Sequence, residues 1–239
     1  MRTILITGIS KGLGLKLADS FSIEDSNLVI GCSRTMTTEL KNLMNTRNNI
    51  EWHQFDLADI SKLENHLIKM IDGRQIHCVI NNAAILYKSL LVKADVNQFK
   101  NMIDINLAAP MVVCKVAIEN FLRWKTKGNI LFYSSICAHM GFSGLSMIGA
   151  TKGALESLSK NIAYEYGRKG IRSNVISIGL LDTGMSNTVN EKQYLDIINK
   201  SNIAQCADSD SVIELTKYLL SNNSMSVTGQ VFHINCGIL

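Results

Sequence analysis

The chain has 239 residues, 46% hydrophobic and 18% charged, so it is long enough to bury a large core and too apolar to remain disordered. A formal net charge of +4, carried by scattered lysines and arginines, argues against nucleic acid as the main partner. Ile4-Leu5-Ile6 is too short for a signal-peptide core and no apolar run reads as long enough to span a membrane, so a cytoplasmic protein with no membrane partner is expected.

The first strand, Thr3–Thr7, runs straight into Gly8, Gly12 and Gly14, and helix-forming sequence follows over Leu13–Phe21. A strand, a glycine turn and a helix make a phosphate cradle: a side chain would keep backbone N–H groups away from a pyrophosphate, and the helix N-terminus adds partial positive charge. The spacing is Gly-x-x-x-Gly-x-Gly, which differs from the commoner Gly-x-Gly-x-x-Gly fingerprint. Further strands are expected at Leu28–Gly31, Ile50–Phe55, Cys78–Asn81, Asn129–Ser134, Arg172–Ile178 and Val231–Asn235. Helices are expected between them at Glu39–Thr46, Ser61–Ile71, Val96–Trp124, Leu145–Tyr166 and Ser209–Leu220. The strands are continuous apolar runs, as a parallel sheet covered on both faces requires, and nothing divides the chain. These features predict an α/β protein, a doubly wound, seven-stranded parallel sheet of Rossmann type, in a single domain over residues 1–239, binding its ligand beyond the carboxyl ends of the strands.

The second strand ends in Gly31-Cys32-Ser33-Arg34, without the acid that an NAD site places there for the ribose 2′-hydroxyl. Arg34 and Lys11 fit a 2′-phosphate, which favours NADP(H) over NAD(H); the plainer reading is two solvated surface cations. The six cysteines and five histidines show no ligand spacing, so no metal site is expected.

Taken together, these residues resemble the short-chain dehydrogenases/reductases, particularly those acting on ketone or 3-oxoacyl groups, over essentially the whole chain. Thr7-Gly8-Ile9-Ser10-Lys11-Gly12-Leu13-Gly14 is similar to the family's cofactor loop, Asp56-Leu57 to its adenine contact, and Asn81-Asn82-Ala83-Ala84 to its Asn-Asn-Ala-Gly motif. The resemblance implies that Asn106 positions a water in a proton relay, that Ser135 orients substrate, and that Lys152 holds the nicotinamide ribose and lowers the pKa of a partner tyrosine. It places Gly179 and Thr183 at the nicotinamide amide and pyrophosphate, and a substrate-covering loop over residues 182–201, where Met185, Val189 and Tyr194 would line a pocket or pack the lid. Thr228-Gly229-Gln230 and Asn235-Cys236-Gly237 are similar to the last-strand signature, with cysteine where glycine is usual. Pairing through the two long helices, as a homodimer or homotetramer, is likewise implied.

The family's tyrosine lies four residues before the lysine, and position 148 is isoleucine. A hydrocarbon cannot donate or accept the proton that accompanies hydride transfer, and a positioned acid is worth roughly 10²- to 10⁴-fold in rate. Three side chains are candidates to replace it: His139 in the loop after the fifth strand, Tyr87, and Tyr133 one pleat below Ser135; Lys152, directly or through water, is a fourth. Two functions follow. One is an NADP(H)-dependent oxidoreductase with an atypical site, acting on a small molecule bearing a carbonyl or hydroxyl group, including a carrier-bound acyl group. The other is a degenerate relative that binds a dinucleotide or metabolite as a sensor or partner subunit, with a non-redox lyase or isomerase between them.

Overall fold

The computed structural model describes residues 1–181 and 191–238. Seven strands, β1 (Arg2–Thr7), β2 (Asn27–Ser33), β3 (Ile50–Gln54), β4 (Cys78–Asn81), β5 (Asn129–Ser135), β6 (Arg172–Ile178) and β7 (Val231–Ile234), form one sheet in the order β3-β2-β1-β4-β5-β6-β7. Every pairing is parallel. Eight helices connect them: α1 (Gly12–Ser22), α2 (Thr38–Thr46), α3 (Ile60–Ile71), α4 (Val96–Ile103), α5 (Ala109–Trp124), α6 (Ser146–Tyr166), α7 (Glu191–Lys200) and α8 (Ser209–Leu220). The order reverses between β1 and β4, so the loops leaving these two strands part and open a crevice at the carboxyl edge.

Side chains alternate along each strand, so an uninterrupted apolar run feeds two cores. Leu5 of β1 and Ile130 and Phe132 of β5 pack with Leu63 and Leu67 of α3, Val113 and Ala117 of α5, and Leu155 of α6. Ile4 and Ile6 of β1 and Leu131 and Tyr133 of β5 pack on the opposite face with Leu17 of α1, Leu40 of α2, and Val212 and Leu219 of α8. Gly31 lacks a side chain where Ile9 of the glycine loop lies; a Cβ there would come within 2.4 Å of the Ile9 side chain.

The helix expected over Val96–Trp124 is continuous in space but not in winding. Its middle, Asp104–Ala108, is a π turn in which the Ala109 N–H reaches back to the Asp104 carbonyl. Pro110 has no N–H to give the Asn106 carbonyl, so ordinary α winding cannot continue through this point. No uninterrupted apolar run approaches a membrane span, yet this 29-residue helical stretch passes for one by length and composition, its most apolar 18-residue window having a mean hydropathy of 1.4. Its most apolar window is 61% buried within the fold, where it serves as a core helix. Helix α7 falls where a covering loop was expected; Thr183, Met185 and Val189 lie outside the described residues.

Candidate active site

The glycine loop is shaped by close backbone approach. Gly8 and Gly12 adopt φ of +74° and +56°, a region that costs other residues energy. A Cβ on Gly14 would sit 2.1 Å from the Gly8 carbonyl oxygen, so the first turn of α1 folds against the end of β1 only with glycine there. Lys11, the N-cap of α1, is extended and contributes no side-chain cap, which leaves the amides of the first helical turn open toward the loop. Asn82, at the carboxyl end of β4, donates from its side chain to the carbonyls of Thr7 and Gly8 at 2.9 and 3.1 Å. The Asn82 and Ala83 amides in turn donate to the Thr7 hydroxyl, each at 3.1 Å. Asn82 and Ala83 therefore brace the cradle from the far side of the crevice, and Ala84 continues that rim.

At the second strand, Ser33 donates to the Thr35 carbonyl at 3.0 Å and receives the Trp52 indole N–H at 2.8 Å, which fixes the turn carrying Arg34. Thr37 donates to the Ser10 carbonyl at 2.6 Å and ties that turn to the glycine loop. Lys11 and Arg34 are exposed on the rim these contacts form, and no acid stands at the end of β2. Asp56 is exposed with Oδ1 accepting the Ala58 N–H at 3.0 Å, while Leu57 is buried in the core. Gly179 packs against Asn235, where a Cβ would meet the Asn235 Cα at 2.9 Å.

At the carboxyl end of β5 the chain turns through a 3₁₀ segment, Ile136–Ala138, capped by Ser135, whose Oγ accepts the Cys137 N–H at 3.3 Å. Helix α6 returns against this turn. Lys152 is buried, and its ammonium donates to the Tyr133 carbonyl at 2.7 Å, two residues from Ser135. Burial lowers its pKa to about 8. Ser135 thus stands at the end of β5, and the Lys152 ammonium bonds that strand two residues earlier. Ile148, one turn before Lys152, is buried with Met102 and Met147 in a cluster bordered by Leu86, Tyr87, Phe99, Cys137 and Leu145.

Other predicted residues are committed elsewhere. Asn106 is fully buried and pairs with the Ile85 backbone, accepting its N–H at 2.8 Å and donating to its carbonyl at 2.9 Å. Its side chain anchors the loop after β4. Tyr133 points into the opposite core, bonded to Thr216 at 2.7 Å, and burial pushes its pKa further up. The Tyr87 hydroxyl accepts the Asp95 N–H at 3.1 Å. The His139 ring bonds Glu156 at 2.9 Å and stands edge-on to His233, with centroids 4.7 Å apart. Burial and the nearby His139 lower the pKa of His233, which Glu156 partly opposes.

Glu156 escaped the sequence reading. It is buried and receives the Ser134 hydroxyl at 2.6 Å besides His139, binding the end of β5, the following loop and α6 together. A carboxylate four residues after Lys152, on the helix face that also buries Leu155, was the available signal.

The doubly wound sheet, the cradle at its order reversal and the paired serine and lysine define a dinucleotide-binding α/β protein. A family model described as enoyl-(acyl carrier protein) reductase matches residues 8–238. The chain belongs to this family of short-chain dehydrogenases/reductases. It is 30% identical over 237 residues to the 3-oxoacyl-[acyl-carrier-protein] reductase of Buchnera aphidicola subsp. Baizongia pistaciae, covering 98% of this chain and 96% of that one. It is 31% identical over 239 residues to the corresponding reductase of Rickettsia typhi, covering 100% and 97%. Among solved structures, 4-hydroxyisoleucine dehydrogenase complexed with NADH shares the fold with a TM-score of 0.92 at 24% identity, covering 100% and 98%. ElxO with NADP bound superposes with a TM-score of 0.89 at 25% identity, covering 99% and 98%.

Proposed function

We propose that this protein is an NADP(H)-dependent oxidoreductase transferring hydride between nicotinamide and a ketone or secondary alcohol, in an active site that lacks the family's tyrosine. The observation that carries this reading is the joint placement of the glycine cradle and the Ser135–Lys152 pair at one edge of the sheet. Reductases of 3-oxoacyl chains among its relatives support a carbonyl substrate, including a carrier-bound acyl group.

The residues suit the cofactor. Open amides of α1 and the gap at Gly14 would receive the pyrophosphate, with Ser10, Lys11, Gly12 and Leu13 around it. Arg34 and Lys11 would take the 2′-phosphate, Asp56 and Leu57 would border the adenine, and Asn82, Ala83, Ala84 and Gly179 would flank the nicotinamide half. When bound, the nicotinamide supplies or accepts the hydride. Ser135 would orient the substrate oxygen, and the Lys152 ammonium would bind ribose hydroxyls and stabilise negative charge developing beside it in a site closed from water.

Titration calorimetry with NADPH and NADH tests this. NADPH bound at least tenfold more tightly, with the preference lost in Arg34→Ala, is the expected result. No binding of either nucleotide overturns the reading in favour of a degenerate relative acting as a sensor or partner subunit, which the isoleucine at position 148 favours.

A further inference from the structure

Ser135 and Lys152 reach the site on different elements, so something must hold one against the other. We propose that His139 and Glu156 are the positioning residues of this site, locking the turn that Ser135 opens to the helix that carries Lys152. The inference rests on the oxidoreductase reading above and names what keeps its two polar groups in place.

Ser135 caps the 3₁₀ turn Ile136–Ala138 at the end of β5, whereas Lys152 projects from α6. The bond from the Lys152 ammonium to the Tyr133 carbonyl ties α6 to the strand, but it lies before the turn and leaves the turn itself unfixed. Glu156, one helical turn beyond Lys152, supplies that tie through a single oxygen. Its Oε1 accepts the Ser134 hydroxyl at 2.6 Å and bonds His139 Nε2 at 2.9 Å. Ser134 immediately precedes Ser135, and its hydroxyl lies 3.3 Å from the Lys152 carbonyl as well, so it joins the strand end to the backbone of the lysine. His139 ends the turn, and its N–H donates to the Ile136 carbonyl at 2.9 Å. One carboxyl oxygen therefore grips the chain on both sides of Ser135 and holds it to α6.

The lock is sheltered at one end and accessible at the other. Ser134 and Glu156 are buried, where water competes little for their bond, while the His139 side chain is 27% exposed. His233 of β7 packs edge-on against the His139 ring, with centroids 4.7 Å apart, and limits its swing. Helix α6 has its own anchors in the core at Leu155 and Ile162, so loss of the His139 ring frees the turn without releasing the helix. Misplacing a reacting group by about 1 Å costs on the order of 10²-fold in rate, and Ser135 is the group that this lock places.

The test has two arms, the first of which needs no substrate. Amide hydrogen exchange is followed by NMR in the wild type, His139→Ala and His139→Gln. The Cys137 amide, bonded to the Ser135 hydroxyl at 3.3 Å, is expected to exchange at least about tenfold faster in His139→Ala, with the amides of Leu131 and Phe132 in β5 unchanged. His139→Gln, whose side-chain amide can donate to the same oxygen, is expected to slow it again. Unchanged exchange at Cys137 overturns the proposal whatever the catalytic result. In the second arm NADPH affinity is measured by calorimetry, and kcat with a 3-oxobutanoyl thioester of N-acetylcysteamine. His139→Ala is expected to lower kcat roughly 10- to 10²-fold while NADPH affinity stays within about twofold, because Lys152 keeps its bond to Tyr133, and His139→Gln to recover most of the rate. An undiminished kcat in His139→Ala, an equal loss in both variants, or a parallel loss of NADPH affinity overturns the proposal. A wild type that binds NADPH but turns over no carbonyl substrate overturns the oxidoreductase reading and the catalytic role with it, and the exchange arm shows separately whether the lock exists.

Discussion

Lys152 should weaken the fold that it equips. Its ammonium is buried, holds one hydrogen bond to the Tyr133 carbonyl, and has its pKa lowered from 10.5 to about 8 by desolvation. With the protonated form disfavoured by that much, a lysine charged at pH 7 costs roughly 3 kcal/mol relative to the unfolded chain. Lys152→Met removes the charge at similar length and gives up a hydrogen bond worth about 1 kcal/mol, leaving a net gain of roughly 2 kcal/mol. For a chain of this size that raises Tm by roughly 4 to 8 °C. The unfolded chain binds more protons than the native one between the two pKa values, so wild-type stability rises with pH there. The advantage of Lys152→Met is therefore greatest below about pH 8 and vanishes by about pH 10.5. Scanning calorimetry of both proteins across this range measures the difference directly, which cancels other titrating groups. A variant no more stable than wild type at neutral pH, or an advantage independent of pH, would refute the reasoning. The same variant should bind NADPH more weakly, so that stability and cofactor affinity move in opposite directions.

Gly14→Ala, with its Cβ 2.1 Å from the Gly8 carbonyl, should lower Tm by several degrees or prevent soluble expression, and should abolish nucleotide binding in any protein that folds. Tyr133→Phe should cost about 1 kcal/mol in chemical denaturation, through loss of the Thr216 bond, while kcat stays within twofold; a large fall in kcat would return Tyr133 to the list of acids. Glu156→Gln keeps the shape but replaces a carboxyl oxygen bonded to both Ser134 and His139 with an amide, and should destabilise by roughly 1 to 3 kcal/mol, measured by urea unfolding. Ile148→Tyr should raise kcat on simple ketones by at least tenfold if the phenol finds Ser135 and Lys152, and the steady-state rate reads this directly.

The strands were legible because each apolar run serves two cores, and β4 and β6 fall where the sequence places them. The rest depended on events that periodicity does not record. The long helix at Val96–Trp124 looks uniform in hydrophobic pattern, yet Pro110 removes a single donor and converts its middle into a π turn. Ser135 and Lys152 entered through the family resemblance, and the structure puts them at the end of β5 and on the buried face of α6. Asn106 was readable as a position but not as a contact, since its pairing with the Ile85 backbone belongs to a loop with no period. The same is true of His139, whose ring turns to Glu156.

The isoleucine at position 148 changes more than the supply of a proton. In a site with tyrosine, the lysine charge has a phenol beside it whose ionised form it stabilises; here position 148 is a hydrocarbon packed with Met102 and Met147. The ammonium is buried and its charged form is disfavoured by desolvation, so negative charge developing on a ligand beside it is stabilised. That favours substrates whose oxygen becomes anionic during reaction.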